Sequence, residues 1–199
     1  MDAFRTQERL ILASGSPRRR DFLAELGLVF EVRVTDIDET PQPGEQPVDF
    51  VARLAQEKAQ AVDIPEAWVL AADTAVVVDG EILGKPGDEA DACAMLMRLS
   101  DRWHEVWTGF SLCRQATGEL CTKTVGTRVR FLLLTPELCR AYVRTGEPLD
   151  KAGAYGIQGK GCFLVREISG SYTNVVGLPM TEVLEALLHH KVIALMDGL

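Results

Sequence analysis

The amino-acid sequence predicts an α/β protein, and three observations lead to that prediction. Short apolar runs of strand length alternate with segments whose apolar residues recur at helical spacing. No internal repeat, low-complexity tract or long linker interrupts this alternation. The 199 residues are 47% hydrophobic and 25% charged, a composition that excludes a disordered chain, a collagen-like repeat and a coiled coil. At this length a single domain over residues 1–199 is expected, and two small lobes sharing one core are compatible with it.

The chain opens with a predicted strand, turn and helix. Residues 9–13 form an apolar run, Ser16 then supplies a helix N-cap, and Gly27 ends the helix. A second strand is expected at residues 30–34. After a proline-containing polar loop, the apolar residues between 48 and 62 recur at the spacing of an amphipathic helix.

The middle of the chain contains two apolar runs, at residues 68–72 and 74–78, with Asp73 between them. The pair Asp79-Gly80 then predicts a hairpin turn into a strand at residues 81–83. The later elements are assigned from the same kinds of pattern. They are a helix over 88–99, a hairpin of two long strands at 104–113 and 120–133, a helix after Thr135 that stops before Gly146, an ordered glycine-rich loop over 146–161, a short strand at 162–165, a polar loop at 169–178 and a closing helix over 179–190.

Charge and composition exclude several classes of protein. The net charge is −8 and the basic residues cluster once, at residues 18–20, so general binding to nucleic acid is not expected. No apolar stretch is long enough to span a bilayer, and the N-terminus carries charges in place of a signal-peptide pattern, so we expect a cytoplasmic protein with no membrane partner. The five cysteines are scattered and never form a Cys-x-x-Cys pair, which argues against a disulfide framework or a zinc ribbon.

The turn at residues 14–19, Ser-Gly-Ser-Pro-Arg-Arg, is a candidate anion site. It joins a buried strand to a helix N-terminus, where free backbone N–H groups and the helix dipole favour a negative ligand. Arg18 and Arg19 add fixed positive charge and forked donors suited to phosphate. The alternative is an ordinary helix start with solvated arginines. The turn is not a Walker A loop, because the Gly-x-x-x-x-Gly-Lys-Ser/Thr pattern is absent from the chain.

Asp73 is the strongest single-residue signal, because a carboxylate between two apolar runs loses solvation unless a metal, a cation or a reaction compensates it. Alternatively, Asp73 ends a strand and caps a turn. An acidic cluster at Asp36, Asp38 and Glu39 could supply further oxygen ligands for a metal, or it could be a solvated loop.

Other residues carry weaker signals. Lys58 and Lys85, taken alone, are typical of solvated surface charges. The three histidines lack metal-ligand spacing, which argues against a zinc site. Neither a Gly-x-Ser-x-Gly elbow nor a Gly-x-Gly-x-x-Gly fingerprint occurs, which counts against a serine hydrolase and a dinucleotide cofactor.

Several sequence blocks, taken together, resemble the Maf family of nucleoside triphosphate pyrophosphatases. They occur in the family's order from Leu10 to Pro179 and cover most of the chain. They read LILASGSPRRRDFLAELG, RLAQEKA, AADTAVVVDGEILGKP, HEVWTGF, DKAGAYGIQGKG and GSYTNVVGLP. The block around Gln158 resembles the subfamily that acts on dTTP and UTP, since the subfamily that acts on 7-methyl-GTP typically has an acidic residue at that position.

The resemblance implies a fold and an activity. The implied fold is akin to that of inosine triphosphate pyrophosphatases, a long mixed sheet flanked by helices with two lobes around a cleft. The implied reaction is hydrolysis of a triphosphate to the monophosphate and pyrophosphate with Mg²⁺ or Mn²⁺. A homodimer, a cytoplasmic house-cleaning role and a link to arrest of cell division are implied as well.

The resemblance also assigns roles to individual residues by motif position. Asp73 is implied to be the proton acceptor that activates water for attack at the α-phosphorus, and Glu39 is implied to join it in placing the metal. The remaining assignments concern the substrate. Ser14, Arg18, Arg19, Lys58 and Lys85 match positions that hold the triphosphate, while Arg18 or Arg19, Thr74 and Gln158 match positions linked to base choice.

One departure and two rival functions stay open at this point. Asp101 stands where the family usually has Gly, which places the local turn in question. The first rival is 7-methyl-GTP pyrophosphatase activity. The second is a nucleotide-binding regulator of division without catalysis, and the presence of Asp73 weighs against it because a sensor needs no base to activate water.

Overall fold

The structure is a computed structural model, and it describes residues 3–196 of the chain. The strands are β1 (Phe4–Thr6), β2 (Leu10–Ala13), β3 (Glu31–Val32), β4 (Trp68–Val78), β5 (Glu81–Leu83), β6 (Trp103–Arg114), β7 (Glu119–Phe131), β8 (Val165–Ser169) and β9 (Ile193–Leu195). The α-helices are α1 (Pro17–Glu25), α2 (Pro47–Gln60), α3 (Glu89–Leu99), α4 (Pro136–Val143), α5 (Tyr172–Val176) and α6 (Met180–His189). Short 3₁₀ turns lie between several of them.

A seven-stranded mixed sheet forms the centre of the architecture. Its order is β3-β2-β4-β6-β7-β8, and β5 pairs with β4. Strand β2 is parallel to both β3 and β4, whereas β5 is antiparallel to β4 and β8 is antiparallel to β7. This arrangement confirms the predicted α/β class with a long mixed sheet and flanking helices. Strands β1 and β9 form a separate antiparallel pair.

Strand β4 joins the two apolar runs that Asp73 separates in the sequence. It extends unbroken over eleven residues, and all but Thr74 are buried. The interpretation of Asp73 as a strand end is therefore wrong, because Asp73 lies in the strand interior. At the end of the strand, Asp79 (φ 55°) and Gly80 (φ 79°) take the left-handed conformations of a type I′ hairpin turn into β5, as predicted.

The chain divides into two compact units. Unit 1 contains the residues up to Asp73, Thr108–Thr124 and the residues from Gly177 onward, and unit 2 contains Thr74–Trp107 and Val125–Val176. In unit 1, alternate residues of β2 enter two apolar clusters. Leu10 and Leu12 pack with residues of α1 and α6, while Ile11 and Ala13 pack with residues of α2. The core of unit 2 combines apolar residues of α3 and α4 with those of its strands.

Gly109 in β6 allows helix α2 to approach the sheet closely. A Cβ atom at Gly109 would collide with the backbone carbonyl of Val51 and would lie 2.9 Å from the Ala52 nitrogen. Only glycine fits this contact, because neither partner atom belongs to a flexible side chain. The contact determines how close the backbone of α2 lies to β6 in unit 1.

Three local predictions differ from the structure. Residues 162–165 are not a strand, because residues up to Leu164 belong to a 3₁₀ segment (Gly159–Leu164) and the strand runs over Val165–Ser169. The predicted polar loop at 169–178 contains the short helix α5. Strands β1 and β9 were missed because three residues are too few to show a period and each pairs only with the other.

Asp101 adopts the left-handed conformation (φ 51°) that explains why glycine is usual at this position. Aspartate is one of the few other residues that tolerate it. The Asp101 N–H donates to the Leu132 carbonyl oxygen at 3.0 Å, and its carboxylate accepts from Arg130 at 3.3 Å. The turn is therefore kept despite the departure.

All five cysteines are free thiols. No helix within residues 3–196 is long and apolar enough to cross a bilayer.

His104 is a buried neutral histidine in the core of unit 2. It is 2% exposed, its Nε2 lies 2.8 Å from the Tyr155 hydroxyl, and its ring meets those of Phe131 and Tyr155 edge to face. Its Nδ1 has no hydrogen-bond partner among residues 3–196. Burial lowers the pKa of His104 to about 3.

We predict that this histidine makes stability fall in acid. The folded state holds His104 neutral, whereas the unfolded state binds a proton below a pKa of about 6.5, so the stabilisation is complete above that pH and declines by ~1.4 kcal/mol per pH unit down to about pH 3. Urea unfolding at about pH 7.5 and about pH 5 should give a smaller pH difference for His104→Gln than for the parent. The exposed His189→Gln is the control and should keep the parental difference. An equal pH difference in all three proteins would contradict the assignment.

Candidate functional site

The turn at residues 14–19 lies where β2 passes into α1, as predicted. Ser14 is buried, and its Oγ accepts a hydrogen bond from the Ser16 N–H at 3.2 Å. Ser16 occupies the N-cap position, but its side chain makes no capping hydrogen bond, so the predicted capping role of that side chain is wrong. The first turn of α1 contains no acidic residue, so the positive end of its dipole is not offset there.

Arg19 links separate segments of unit 1 through its side-chain hydrogen bonds. Its Nε donates to the Gly177 carbonyl oxygen at 2.7 Å, and one terminal nitrogen donates to the Ala72 carbonyl oxygen at 2.7 Å and to the Ser14 Oγ at 3.2 Å. Burial lowers the pKa of Arg19, while the negative charges of Asp73 and Glu39 act to raise it. Arg19 therefore connects α1 to β4 and to the segment that precedes α6, in addition to any contact with a ligand.

Arg18 differs from its neighbour. Its half-buried guanidinium makes no ion pair or hydrogen bond with the side chains or backbone of residues 3–196. Since Arg18 and Arg19 follow each other in the first turn of a helix, one arginine holds the turn together and the other has its donors available for an anion.

Lys58 connects Asp73 and Glu39, the two acidic residues for which the family resemblance implies roles in catalysis and metal binding. Its Nζ lies 2.6 Å from Asp73 Oδ1 and 2.6 Å from Glu39 Oε1. The side chains of Lys58 and Asp73 are only 11% and 12% exposed, whereas Glu39 is 52% exposed. Lys58 is therefore not a solvated surface charge, and its buried position follows from its place on the apolar face of α2.

One oxygen of the Asp73 carboxylate receives no hydrogen bond from the residues that the structure describes. Lys58 donates to Oδ1, and no group within residues 3–196 donates to Oδ2. A buried carboxylate with one oxygen fixed and the other available is suited to binding a water molecule or a cation.

Glu39 and Asp73 have the chemistry expected of a magnesium site. Both supply carboxylate oxygens, and both reach the same ammonium group, so the two carboxylates lie close to one point. No group of three or more His, Cys, Asp or Glu side chains in the described part of the chain is arranged for a metal ion. Mg²⁺ is commonly held by one or two carboxylates together with substrate phosphates, so these two residues fit that ion.

The other two members of the acidic cluster do not join this group. The Asp38 carboxylate accepts a hydrogen bond from the Thr40 N–H at 2.9 Å, and bonds from Thr40 lower its pKa. Asp36 is exposed and makes no side-chain bond within residues 3–196. For these two residues the alternative interpretation, a solvated loop, is the better one.

The three remaining predicted residues belong to unit 2. Thr74 follows Asp73 in β4 and is half-buried. Lys85 is exposed after β5, and Gln158 is exposed in the glycine-rich loop; neither side chain makes a bond with another described residue. The segments of Lys85 and Gln158 are connected through the Gly153 N–H, which donates to the Gly84 carbonyl oxygen at 3.0 Å.

Sequence reasoning missed the residues that organise the glycine-rich loop. Glu147 accepts hydrogen bonds from Tyr142 and from the Lys160 and Gly161 N–H groups, at distances of 2.8–3.0 Å. Lys151 Nζ donates to the Glu147 carbonyl oxygen at 2.6 Å. A carboxylate beside Pro148 is typical of a solvated turn, so the only available signal was the glycine content of the loop around which these residues fold.

Comparisons with known proteins agree with the motif resemblance. A family model described as Maf-like protein matches residues 9–190. A protein from Desulfotalea psychrophila with the name dTTP/UTP pyrophosphatase is 52% identical over 194 residues, which is 96% of this chain and 100% of the relative. Proteins of the same name from Geobacter sulfurreducens (53% over 182 residues, 90% of this chain and 95% of the relative) and Myxococcus xanthus (52% over 183 residues, 91% and 92%) are also similar.

Among solved structures, that of the Staphylococcus aureus Ham1 protein is similar with a TM-score of 0.49 and 16% sequence identity. The alignment covers 92% of this chain and 100% of that one.

We predict that Arg19→Ala lowers stability as well as ligand binding. It removes the hydrogen bonds that Arg19 donates to the Ala72 and Gly177 carbonyl oxygens, and each such bond from a charged group contributes about 1.5–3 kcal/mol. The free energy of unfolding, measured in urea, should fall by about 2 kcal/mol or more. The adjacent Arg20→Ala is the control: Arg20 is exposed and pairs with Asp21 at 3.5 Å, so its loss should change stability by less than about 0.5 kcal/mol. Equal stability of the two variants would show that the hydrogen bonds of Arg19 to Ala72 and Gly177 do not stabilise the fold.

Proposed function

The chain belongs to the Maf family, and from this premise we propose that it hydrolyses dTTP and UTP to the monophosphate and pyrophosphate. The observation that carries the proposal is Asp73. It is a buried carboxylate inside a strand, held by Lys58 at 2.6 Å, with one oxygen that no described residue binds. The names of the relatives from three genera support the pyrimidine substrates.

In the proposed reaction, Asp73 positions a water molecule and accepts its proton as the water oxygen attacks the α-phosphorus. The bond between the α-phosphorus and the bridging oxygen breaks, and pyrophosphate leaves with that oxygen. Lys58 fixes the orientation of Asp73 by donating to Oδ1, so that Oδ2 is the atom that receives the proton.

The residues around the turn at 14–19 are suited to the negative charge of the triphosphate. The N-terminus of α1 contributes its dipole, and Arg18 contributes a guanidinium that no described residue neutralises. Family resemblance assigns Lys85 to the phosphates as well, and its ammonium has no ion-pair partner within residues 3–196. Positive charge of this kind lowers the barrier because pyrophosphate carries more negative charge as it leaves.

A divalent cation fits this scheme through Glu39 and Asp73. When bound, such an ion neutralises phosphate charge and polarises the attacked phosphoryl group. The homodimer, the cytoplasmic location and the link to division stay predictions from the family resemblance.

The proposal is tested by pyrophosphate release from dTTP, UTP, CTP, ATP, GTP and 7-methyl-GTP with Mg²⁺ or Mn²⁺. Release from dTTP and UTP alone is the expected result. Release from 7-methyl-GTP alone would assign the chain to the other subfamily. Nucleotide binding without pyrophosphate release would favour the non-catalytic regulator.

We predict that Asp73→Asn abolishes turnover because an amide cannot accept the proton from water. The rate should fall by far more than tenfold. A tenfold fall corresponds to a rise of ~1.4 kcal/mol in the activation barrier. Steady-state kinetics on dTTP, with thermal unfolding to establish that the variant is folded, make the measurement. Asp63→Asn, which makes the same change at an exposed residue, should have the parental rate. Retention of more than about a tenth of the rate by Asp73→Asn would exclude Asp73 as the base.

We also predict that Gln158→Glu impairs the use of pyrimidine triphosphates. The change replaces the amide NH₂ group, a hydrogen-bond donor, with a negatively charged oxygen. Loss of one hydrogen bond to the base strongly weakens recognition at a site that binds the base by hydrogen bonds. The value of kcat/KM for dTTP and UTP should fall by roughly tenfold or more, with 7-methyl-GTP less affected. Gln7→Glu adds the same charge at an exposed residue and serves as the control. Unchanged dTTP kinetics in Gln158→Glu would remove the role of this residue in base choice.

A further inference from the structure

The carboxylate of Glu147 is the centre of a hydrogen-bond network in unit 2. Oε1 accepts from the Tyr142 hydroxyl at 2.8 Å and from the Gly161 N–H at 3.0 Å, and Oε2 accepts from the Lys160 N–H at 2.8 Å. Both oxygens are therefore engaged, two of the three donors being backbone groups of the glycine-rich loop.

The Tyr142 hydroxyl extends this network to the other side of the loop. It accepts a hydrogen bond from the Gly156 N–H at 3.2 Å while it donates to Glu147. Tyr142 is 2% exposed and its ring meets that of Phe163 edge to face, so the hydroxyl is fixed in position. The loop is thus connected to the same pair of side chains at Gly156 and again at Lys160 and Gly161.

Two glycines allow the loop backbone to come this close. Gly159 has φ 71°, and a Cβ atom there would lie 2.7 Å from Glu147 Oε2. A Cβ atom at Gly161 would collide with the Tyr142 hydroxyl. Larger residues at these two positions would push the loop backbone away from Glu147 and Tyr142, so the hydrogen-bond network depends on both glycines.

Gln158 lies between the two attachment points. Its side chain is exposed and makes no bond with any residue the structure describes, so only the backbone holds Gln158 in place. That backbone is held two residues before Gln158 by Tyr142, and two and three residues after it by Glu147.

We propose that Glu147 is a positioning residue for base recognition, which acts by holding the loop that presents Gln158. This inference rests on the proposed function, since it concerns the pyrimidine base of the same substrates. Burial acts to raise the pKa of the Glu147 carboxyl, but hydrogen bonds from the Lys160 N–H, the Tyr142 hydroxyl and the Gly161 N–H and the charge of Lys151 together lower it, so the carboxylate is an acceptor for all three donors at neutral pH. A glutamine side chain offers one acceptor oxygen and one NH₂ group, and the NH₂ group would face a donor.

The test is a double-mutant cycle between Glu147→Gln and Gln158→Ala. Glu147→Gln should raise KM for dTTP and UTP by roughly tenfold with little change in kcat, because it misplaces a binding group and leaves Asp73 intact. In the Gln158→Ala background, Glu147→Gln should have little further effect, because the residue through which it acts is gone. Amide hydrogen exchange at Lys160 and Gly161 should be faster in Glu147→Gln, and this can be measured without any substrate.

The matched control is Glu137→Gln. Glu137 is an exposed carboxylate on α4 that pairs with Arg140 at 2.8 Å, and its variant should keep the parental KM and the parental amide exchange. If Glu147→Gln does not fold, Tyr142→Phe takes its place in the cycle. It removes one hydroxyl and leaves the two backbone bonds to Glu147.

Several outcomes would overturn the inference. The first is an unchanged KM for dTTP and UTP in folded Glu147→Gln. The second is an equal rise in KM on Glu147→Gln with and without the Gln158 side chain. The third is a fall in kcat and in thermal stability with no change in KM, which would indicate a structural role only. Failure of the proposed function is separately visible, because the parent itself would then release no pyrophosphate from dTTP or UTP.

Discussion

One ammonium group, that of Lys58, lies 2.6 Å from the carboxylates of both Asp73 and Glu39, and the candidate site depends on this contact. A carboxylate in the middle of a buried strand is costly unless a cation compensates it. Removal of one partner of such a buried pair typically costs about 3–5 kcal/mol, because the other charge is left uncompensated. Lys58 therefore has two effects in unit 1. Its charge compensates the cost of burying the Asp73 carboxylate in β4, and its hydrogen bond to Oδ1 fixes the orientation of the carboxylate whose Oδ2 accepts the proton in the proposed reaction.

The position of Lys58 has an identifiable cause in the packing of α2. Val51, Leu54, Ala55 and Lys58 share the buried face of that helix. The absence of a side chain at Gly109 allows the backbone of α2 to lie directly on β6, which determines how deep that face is placed. A glycine in one strand thus determines where a lysine two turns farther along the helix can reach. In unit 2, Gly159 and Gly161 have a comparable effect on the loop around Glu147.

Elements with a strong local pattern could be predicted from the sequence. The hairpin turn at Asp79-Gly80 and the helix over residues 47–60 follow from turn chemistry and apolar period, and both are present. Asp73 was identifiable because a carboxylate in an apolar run is conspicuous. The spacing of α2 places position 58 on its apolar face, but the partners that compensate a lysine there, Glu39 and Asp73, are distant in sequence and could not be predicted from that spacing. Glu147 had no local signal, because two of its three donors are backbone groups that any sequence contains.

The central claim is that water held by Asp73 attacks the α-phosphorus, and the most direct test is hydrolysis of dTTP or UTP in ¹⁸O-labelled water. Mass spectrometry of the two products locates the new oxygen atom. We expect the label in the nucleoside monophosphate and none in pyrophosphate. Label in pyrophosphate would place the attack at the β-phosphorus and would contradict the proposed mechanism.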